Sequence, residues 1–213
     1  MQPRHVLLLG ATGLVGRELL HLLLADRDIE RVSVIARRTT GETNAKLDEH
    51  ILDFHDMQHQ PSLFKCDAIF SALGTTIKTA GSQERFRTVD YDYPLMAARL
   101  GKQQGAQHYL LVSALGADAN SRVFYNRVKG EVERDLLALN YARTTIARPS
   151  LLLGERNEFR LGERVFAKLG WLVPPQYKPI QARDVARALV TAAREQESGV
   201  QILESRAMRA RRN

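Results

Sequence analysis

The stretch His5-Val6-Leu7-Leu8-Leu9-Gly10-Ala11-Thr12-Gly13-Leu14-Val15-Gly16 decides the fold of this chain. Val6 to Leu9 form a short, unbroken apolar run, as expected of a strand covered on both faces in the middle of a parallel sheet. Gly10, Gly13 and Gly16 follow three apart. In such a turn the first glycine lets the chain reverse sharply. The second removes the side chain that would keep a pyrophosphate off the backbone, and the third lets the next helix pack close to the strand. That helix is expected over Leu14 to Ala25, with Leu19, Leu20, Leu22, Leu23 and Leu24 as its apolar material. Its free N–H groups and positive dipole end suit an anion. Loops also collect glycines for turn geometry alone. The further strand at Arg31 to Ala36 supplies the βαβ context that favours a dinucleotide pocket.

Where an NAD site of this type ends its second strand with an acidic residue, this chain carries Arg37 and Arg38. Two guanidinium groups match a ribose 2′-phosphate, so NADP(H) is the expected cofactor, bound more tightly than NAD(H). The alternative is an exposed basic turn. Thr39 to Asn44 read as a polar loop and Lys46 to Asp53 as a third strand near a sheet edge, with Asp53 placed to accept from an adenine amino group. Asp67 to Ala72 is a fourth strand; Cys66 before it, the only cysteine, reads as a core residue. Leu73, Gly74, Thr75 and Thr76 follow at its C-terminal end, where sheets of this kind bind ligands. Gln83 to Gln104 read as helix, whole or in two pieces, with Val89, Leu95, Met96, Ala97 and Leu100 inward and Gly105 as its stop. His50, His55 and His59 match no zinc spacing, and no metal site is expected.

Gln107 to Ser113 is a fifth strand ending in serine, and Tyr125-Asn126-Arg127-Val128-Lys129 opens the next helix, expected to run to about Asn140. Tyr125 and Lys129, four apart, share one helical face. A phenol titrates near 10 and is a poor acid–base group at neutrality; an adjacent ammonium favours its phenolate and moves it toward the working range. Ser113 is then the hydrogen-bond donor to a substrate oxygen, Tyr125 the proton donor and Lys129 the anchor of a nicotinamide ribose. Tyr-x-x-x-Lys by itself occurs in many ordinary helices; its position after a strand ending in serine, downstream of the glycine turn, gives it weight.

The segments G-A-T-G-L-V-G, A-R-R, S-A-L-G-T-T, V-S-A-L-G-A-D, Y-N-R-V-K-G-E-V-E and A-R-P-S resemble the atypical branch of the short-chain dehydrogenase/reductase superfamily, the group of the Tat-interacting metastasis suppressor oxidoreductase and its bacterial relatives. The resemblance runs from Val6 to Ala192. It implies a doubly wound α/β fold, a parallel Rossmann sheet of order 3-2-1-4-5-6-7, with NADP(H) lying across the strand ends. Carried over by position, it implies Gly10, Thr12, Gly13, Leu14 and Val15 at the pyrophosphate, Arg37 and Arg38 at the 2′-phosphate and Asp53 at the adenine. It likewise implies Ser113, Tyr125 and Lys129 as catalytic triad and Pro149 to Leu152, including Leu151, beside the carboxamide. The chain departs from the pattern at Leu9, where many members have threonine. It also has S-A-L-G in place of an asparagine-containing fourth-strand motif, which leaves the fourth proton-relay member unidentified.

Thr144 to Arg148 is a sixth strand ended by Pro149, Glu158 to Leu169 a helix of a small C-terminal capping lobe, Ala182 to Glu195 a helix and Val200 to Leu203 a last strand. Trp171, Pro174, Pro175 and Tyr177 either wall a substrate pocket or fill that lobe. These readings give a single domain over 1–205, with its lobe at 151–181, and a basic tail over 206–213. The net charge of +7 comes from basic residues interspersed with acidic ones and from that tail, so no specific nucleic acid is expected. No apolar run approaches the ~18 residues of a membrane span. M-Q-P-R-H enters the first strand at once, which reads as a cytoplasmic protein. The expected function is hydride transfer to or from a small carbonyl or alcohol, with an oligomer compatible with the paired long helices. The alternatives are an NADP(H)-sensing, partner-binding protein with little turnover, and a sugar-nucleotide epimerase, for which the short C-terminal part offers little surface.

Overall fold

Seven strands joined by parallel pairings form the central sheet of the computed structural model, which describes residues 4–153, 174, 177–195 and 197–210. They are β1 (His5–Leu9), β2 (Arg31–Ala36), β3 (Leu47–Ile51), β4 (Ala68–Ser71), β5 (His108–Val112), β6 (Arg143–Arg148) and β9 (Gly199–Glu204). Their order is β3-β2-β1-β4-β5-β6-β9. This is the expected Rossmann arrangement; the last strand is the ninth in the chain because β7 (Leu152–Leu153) and β8 (Ile180–Gln181) pair with each other outside the main sheet. The central strands β1, β4 and β5 are buried almost throughout, while the edge strands β3 and β9 are partly exposed. The uninterrupted apolar runs therefore mark the interior of the sheet.

Alternation along β1 explains why helices cover both faces. Val6 and Leu8 belong to a core built with Leu19, Leu20 and Leu23 of α1 (Leu14–Ala25) and Val185, Ala188 and Leu189 of α6 (Ala182–Arg194). Leu7 and Leu9 point the other way, into a core shared with Ala97 and Ala98 of α4 (Tyr93–Gln103) and Val132 and Leu136 of α5 (Phe124–Leu137). Cys66 lies in this second core, where burial pushes its thiol up to about 12 and removes it from chemistry at neutral pH. The last helix, α7 (Ser205–Ala210), starts one residue before the stretch read as a tail and runs into it, and its Met208 is buried in the first core.

The stretch read as one helix over Gln83 to Gln104 contains α3 (Gln83–Arg87), then a wide π-turn (Thr88–Asp92) and α4, after a single turn, α2 (Ile77–Ala80). The Tyr93 N–H reaches the Thr88 carbonyl, five residues back. The extra residue rotates the face turned inward. Leu95 and Ala97 are buried as expected, but Val89, Met96 and Leu100 are only partly so, and Phe86, Asp90, Pro94, Ala98 and Gly101 are buried instead. The helix expected at Glu158 to Leu169, with Trp171 and Pro175, lies outside the described residues; Pro174 and Tyr177 are exposed.

Candidate active site

The glycine turn separates what the fold requires from what a ligand would require. Gly10 has φ of +83°, and a Cβ there would lie 2.5 Å from the Ala72 carbonyl oxygen; one on Gly16 would overlap the Gly10 carbonyl. A Cβ on Gly13 would meet only the Gly10 oxygen at 3.3 Å and the Ala72 oxygen at 3.9 Å. The chain thus needs glycine at 10 and 16 for its own packing, whereas glycine at 13 leaves open the approach to the start of α1. That start has no side-chain cap and no acidic residue in its first turn. Thr12 and Leu14 are half-buried, but the Val15 side chain is in the core, so only its backbone can face an anion. An uncapped helix start beside an open glycine fits a dinucleotide pyrophosphate.

At the end of β2 the two arginines part company. Arg37 lies 6.0 Å from the Phe54 ring centroid, whereas Arg38 lines a cavity between the β2–β3 loop and α1 that it shares with Thr12 and Arg17. Asp53 is past the end of β3 rather than in it: it is exposed and caps the short 3₁₀ helix Phe54–His59, accepting the His55 N–H at 2.9 Å. One of its carboxylate oxygens is thereby committed to the chain itself.

Tyr125 and Lys129 stand one turn apart at the start of α5. The phenol ring is half-buried and packs on Phe86 of α3, centroids 5.5 Å apart. Lys129 is deeply buried, its ammonium 2.7 Å from Asp90 Oδ1, and the Asp90 side chain is 1% exposed. Asp90 Oδ2 accepts the Thr75 N–H at 2.9 Å, which ties the loop after β4 to the pair. Burial alone would lower the Lys129 pKa; the Asp90 carboxylate, with Tyr125 and Glu133 beyond it, more than reverses this and holds the ammonium above its ordinary range. Gly74 lies over the pair, for a Cβ there would be 3.5 Å from Asp90 Oδ1 and 3.9 Å from Lys129 Nζ. Leu73 is buried beside it.

Ser113 lies just past β5, its N–H bonded to the Ala147 carbonyl at 2.8 Å. Its hydroxyl is buried with no hydrogen-bond partner among the described residues. A buried hydroxyl normally finds a partner, so an unpartnered one at a strand's C-terminal end is suited to an incoming oxygen. The loop that follows crosses α5 at Gly130, where a Cβ would overlap the Asp118–Ala119 peptide. Pro149 is buried and its carbonyl accepts the Leu115 N–H, Leu151 is 40% exposed, and Leu152 pairs with Ile180. The structure sets Lys129 beside Asp90 and Gly74, with Tyr125 one turn earlier on the same helix, and Asp90 is a residue that sequence reading missed. Its signal was present: Phe86, Asp90 and Pro94 recur at four-residue spacing, an acidic residue in an otherwise apolar stripe.

Residues 5–85 match the family model described as semialdehyde dehydrogenase, NAD binding domain. A protein named FMP52-1, mitochondrial, from Scheffersomyces stipitis is 35% identical over 198 residues, 88% of this chain and 87% of that protein. Protein HTATIP2 from Rattus norvegicus is 34% identical over 216 residues, covering 98% and 89%. The chain belongs to the FMP52/HTATIP2 family, an atypical group of the short-chain dehydrogenases/reductases. Members of this family carry an NAD(P)-binding Rossmann domain of oxidoreductase type. The solved UDP-N-acetylglucosamine 4-epimerase from Methanobrevibacter ruminantium M1 superposes with a TM-score of 0.73 at 16% identity, over 96% of this chain and 77% of that one. The Bordetella bronchiseptica enzyme WbmG in complex with NAD gives 0.71 at 14%, over 96% and 73%; both likenesses concern the fold alone. The cytoplasmic expectation is overturned, because several of the family's FMP52 proteins are named mitochondrial. The lack of an apolar span, which also holds for the helices of the described residues, bears on crossing a membrane and carries no information on compartment.

Proposed function

We propose that this member of the family is an NADP(H)-dependent oxidoreductase acting on a small carbonyl or alcohol. The observation that carries the reading is the buried Lys129–Asp90 pair one helical turn from Tyr125, on a helix crossed by the loop that begins at Ser113, whose buried hydroxyl has no partner among the described residues. The glycine turn and the uncapped start of α1 would hold the pyrophosphate, Arg38 the 2′-phosphate, and Lys129 the nicotinamide ribose. The cofactor, when bound, supplies or accepts the hydride.

The chain's own part is to orient the substrate and move one proton. Ser113 donates its hydroxyl hydrogen to the substrate oxygen, polarising the carbonyl. Tyr125 delivers the phenolic proton to that oxygen on reduction and takes it back on oxidation. Lys129, kept charged by Asp90, stands one helical turn from that phenol. NADPH oxidation measured across a panel of aliphatic and aryl aldehydes and ketones tests this. We expect turnover with at least one class, and a loss of roughly 100-fold or more in Tyr125→Phe, the scale of a general acid, with NADPH affinity retained. NADPH binding without turnover in either protein would discard the enzymatic reading and favour a cofactor-sensing one.

A further inference from the structure

The cavity between α1 and the β2–β3 loop, about 230 Å³, carries charges of both signs. Arg17 and Arg38 line it together with Thr12, Thr40 and His21, but so does Glu42, whose carboxylate is 3.0 Å from His21 Nε2. The loop that brings Glu42 there is tied down. Glu49 of β3 accepts from the Thr39 hydroxyl and the Thr40 N–H, each at 2.8 Å, and from the Thr40 hydroxyl. The Thr40 hydroxyl oxygen in turn accepts the Glu42 N–H at 3.3 Å, across Gly41 at φ of +80°. One buttressed turn thus presents Arg38 and Glu42 to the same space.

We infer that Glu42 is a specificity-determining residue of this cavity, weakening its preference for a 2′-phosphorylated adenosine ribose over one with a free 2′-hydroxyl. This rests on the cofactor reading above. A 2′-phosphate is attracted by Arg17 and Arg38 and repelled by the Glu42 carboxylate, whereas a 2′-hydroxyl can donate to that same carboxylate. The cavity is therefore a balance, and removing the negative charge alone tips it toward phosphate.

Titration of NADPH and NADH with the whole protein, followed by cofactor fluorescence, gives the ratio of their dissociation constants without recourse to turnover. Glu42→Gln, at a side chain 41% exposed and so tolerant of substitution, is expected to raise the preference for NADPH roughly fivefold or more at low salt. Arg17→Ala is expected to lower NADPH affinity and spare NADH. Glu42→Asp, which keeps the charge, stays near the wild-type ratio. If the wild type binds NADPH and Glu42→Gln leaves the ratio unchanged, the role of Glu42 is overturned while the cofactor reading stands. If the wild type binds neither dinucleotide, the cofactor reading falls, and this inference with it.

Discussion

Asp90 and Lys129 are each too deeply buried to carry a charge alone. Taking either ion out of water costs several kcal/mol, recovered only through the partner 2.7 Å away and the Thr75 N–H on the other carboxylate oxygen. Removing one member forces the other either to stay buried with an uncompensated charge or to give that charge up, and both cost stability. Asp90→Asn and Lys129→Met are each expected to lower stability by about 3–5 kcal/mol. The double variant should recover a large part of the combined loss, with a coupling of about 2 kcal/mol or more in a urea-unfolding cycle. Single losses that simply add would show that the pair is not a unit. Because the Lys129 pKa is raised on folding, its contribution is complete below about pH 10 and is lost only as the pH climbs through the folded value. At neutral pH the Lys129 ammonium therefore stays charged.

At the level of elements, the site depends on how closely the loop after β5 lies on α5. Gly130 is the contact: any side chain there pushes against the Asp118–Ala119 peptide, in a loop whose Asp118 N–H is bonded to the Asn126 carbonyl at 3.0 Å. Gly130→Ala improves helix propensity by about 1 kcal/mol and is nonetheless expected to cost about 1–3 kcal/mol net, since overpacking against backbone has no rotamer to relieve it. Thermal unfolding checks the stability; carbonyl reduction should fall further than the loss of folded protein explains, because the displaced loop begins at Ser113. The elements themselves were legible where local chemistry dominates. α1 runs from Leu14 to Ala25 as its leucine spacing implied, and Tyr125 and Lys129 fall on one turn because four-residue spacing leaves no other outcome on a helix. What could not be read was the π-turn at Thr88–Asp92, since an inserted residue leaves the composition helical and only shifts the inward face. A regular helix with Val89 and Leu100 inward passes over the Phe86–Asp90–Pro94 spacing, and Asp90 was missed with it. The role of Glu42 was invisible for a different one: it depends on a loop tethered by Glu49, a contact between residues in separate elements.

Over the whole molecule, the groups proposed for function lie at the C-terminal ends of the strands, whereas the buried His108 and the half-buried His5 lie at their N-terminal ends. His108 opens β5, 2% exposed, with Nε2 2.8 Å from the Thr145 hydroxyl and Nδ1 lacking a partner among the described residues. Burial, then the nearby Arg143, lowers its pKa to about 3. His5, which opens β1 and meets the Ser33 hydroxyl, is shifted in the same direction, chiefly by burial. The unfolded chain takes up a proton at His108 near pH 6.5 and the folded chain does not, so stability falls as the pH drops from about 6.5 toward the folded value. By pH 5 this amounts to about 2 kcal/mol for His108. Glutamine can still bond Thr145 but does not titrate, so the stability difference between wild type and His108→Gln should move by about 2 kcal/mol in favour of the variant between pH 7 and pH 5, read from urea unfolding. A difference that stays constant over that range would mean that His108 accepts a proton in the folded state. Since the sheet separates this histidine from the crevice, His108→Gln should leave NADPH affinity at pH 7 unchanged.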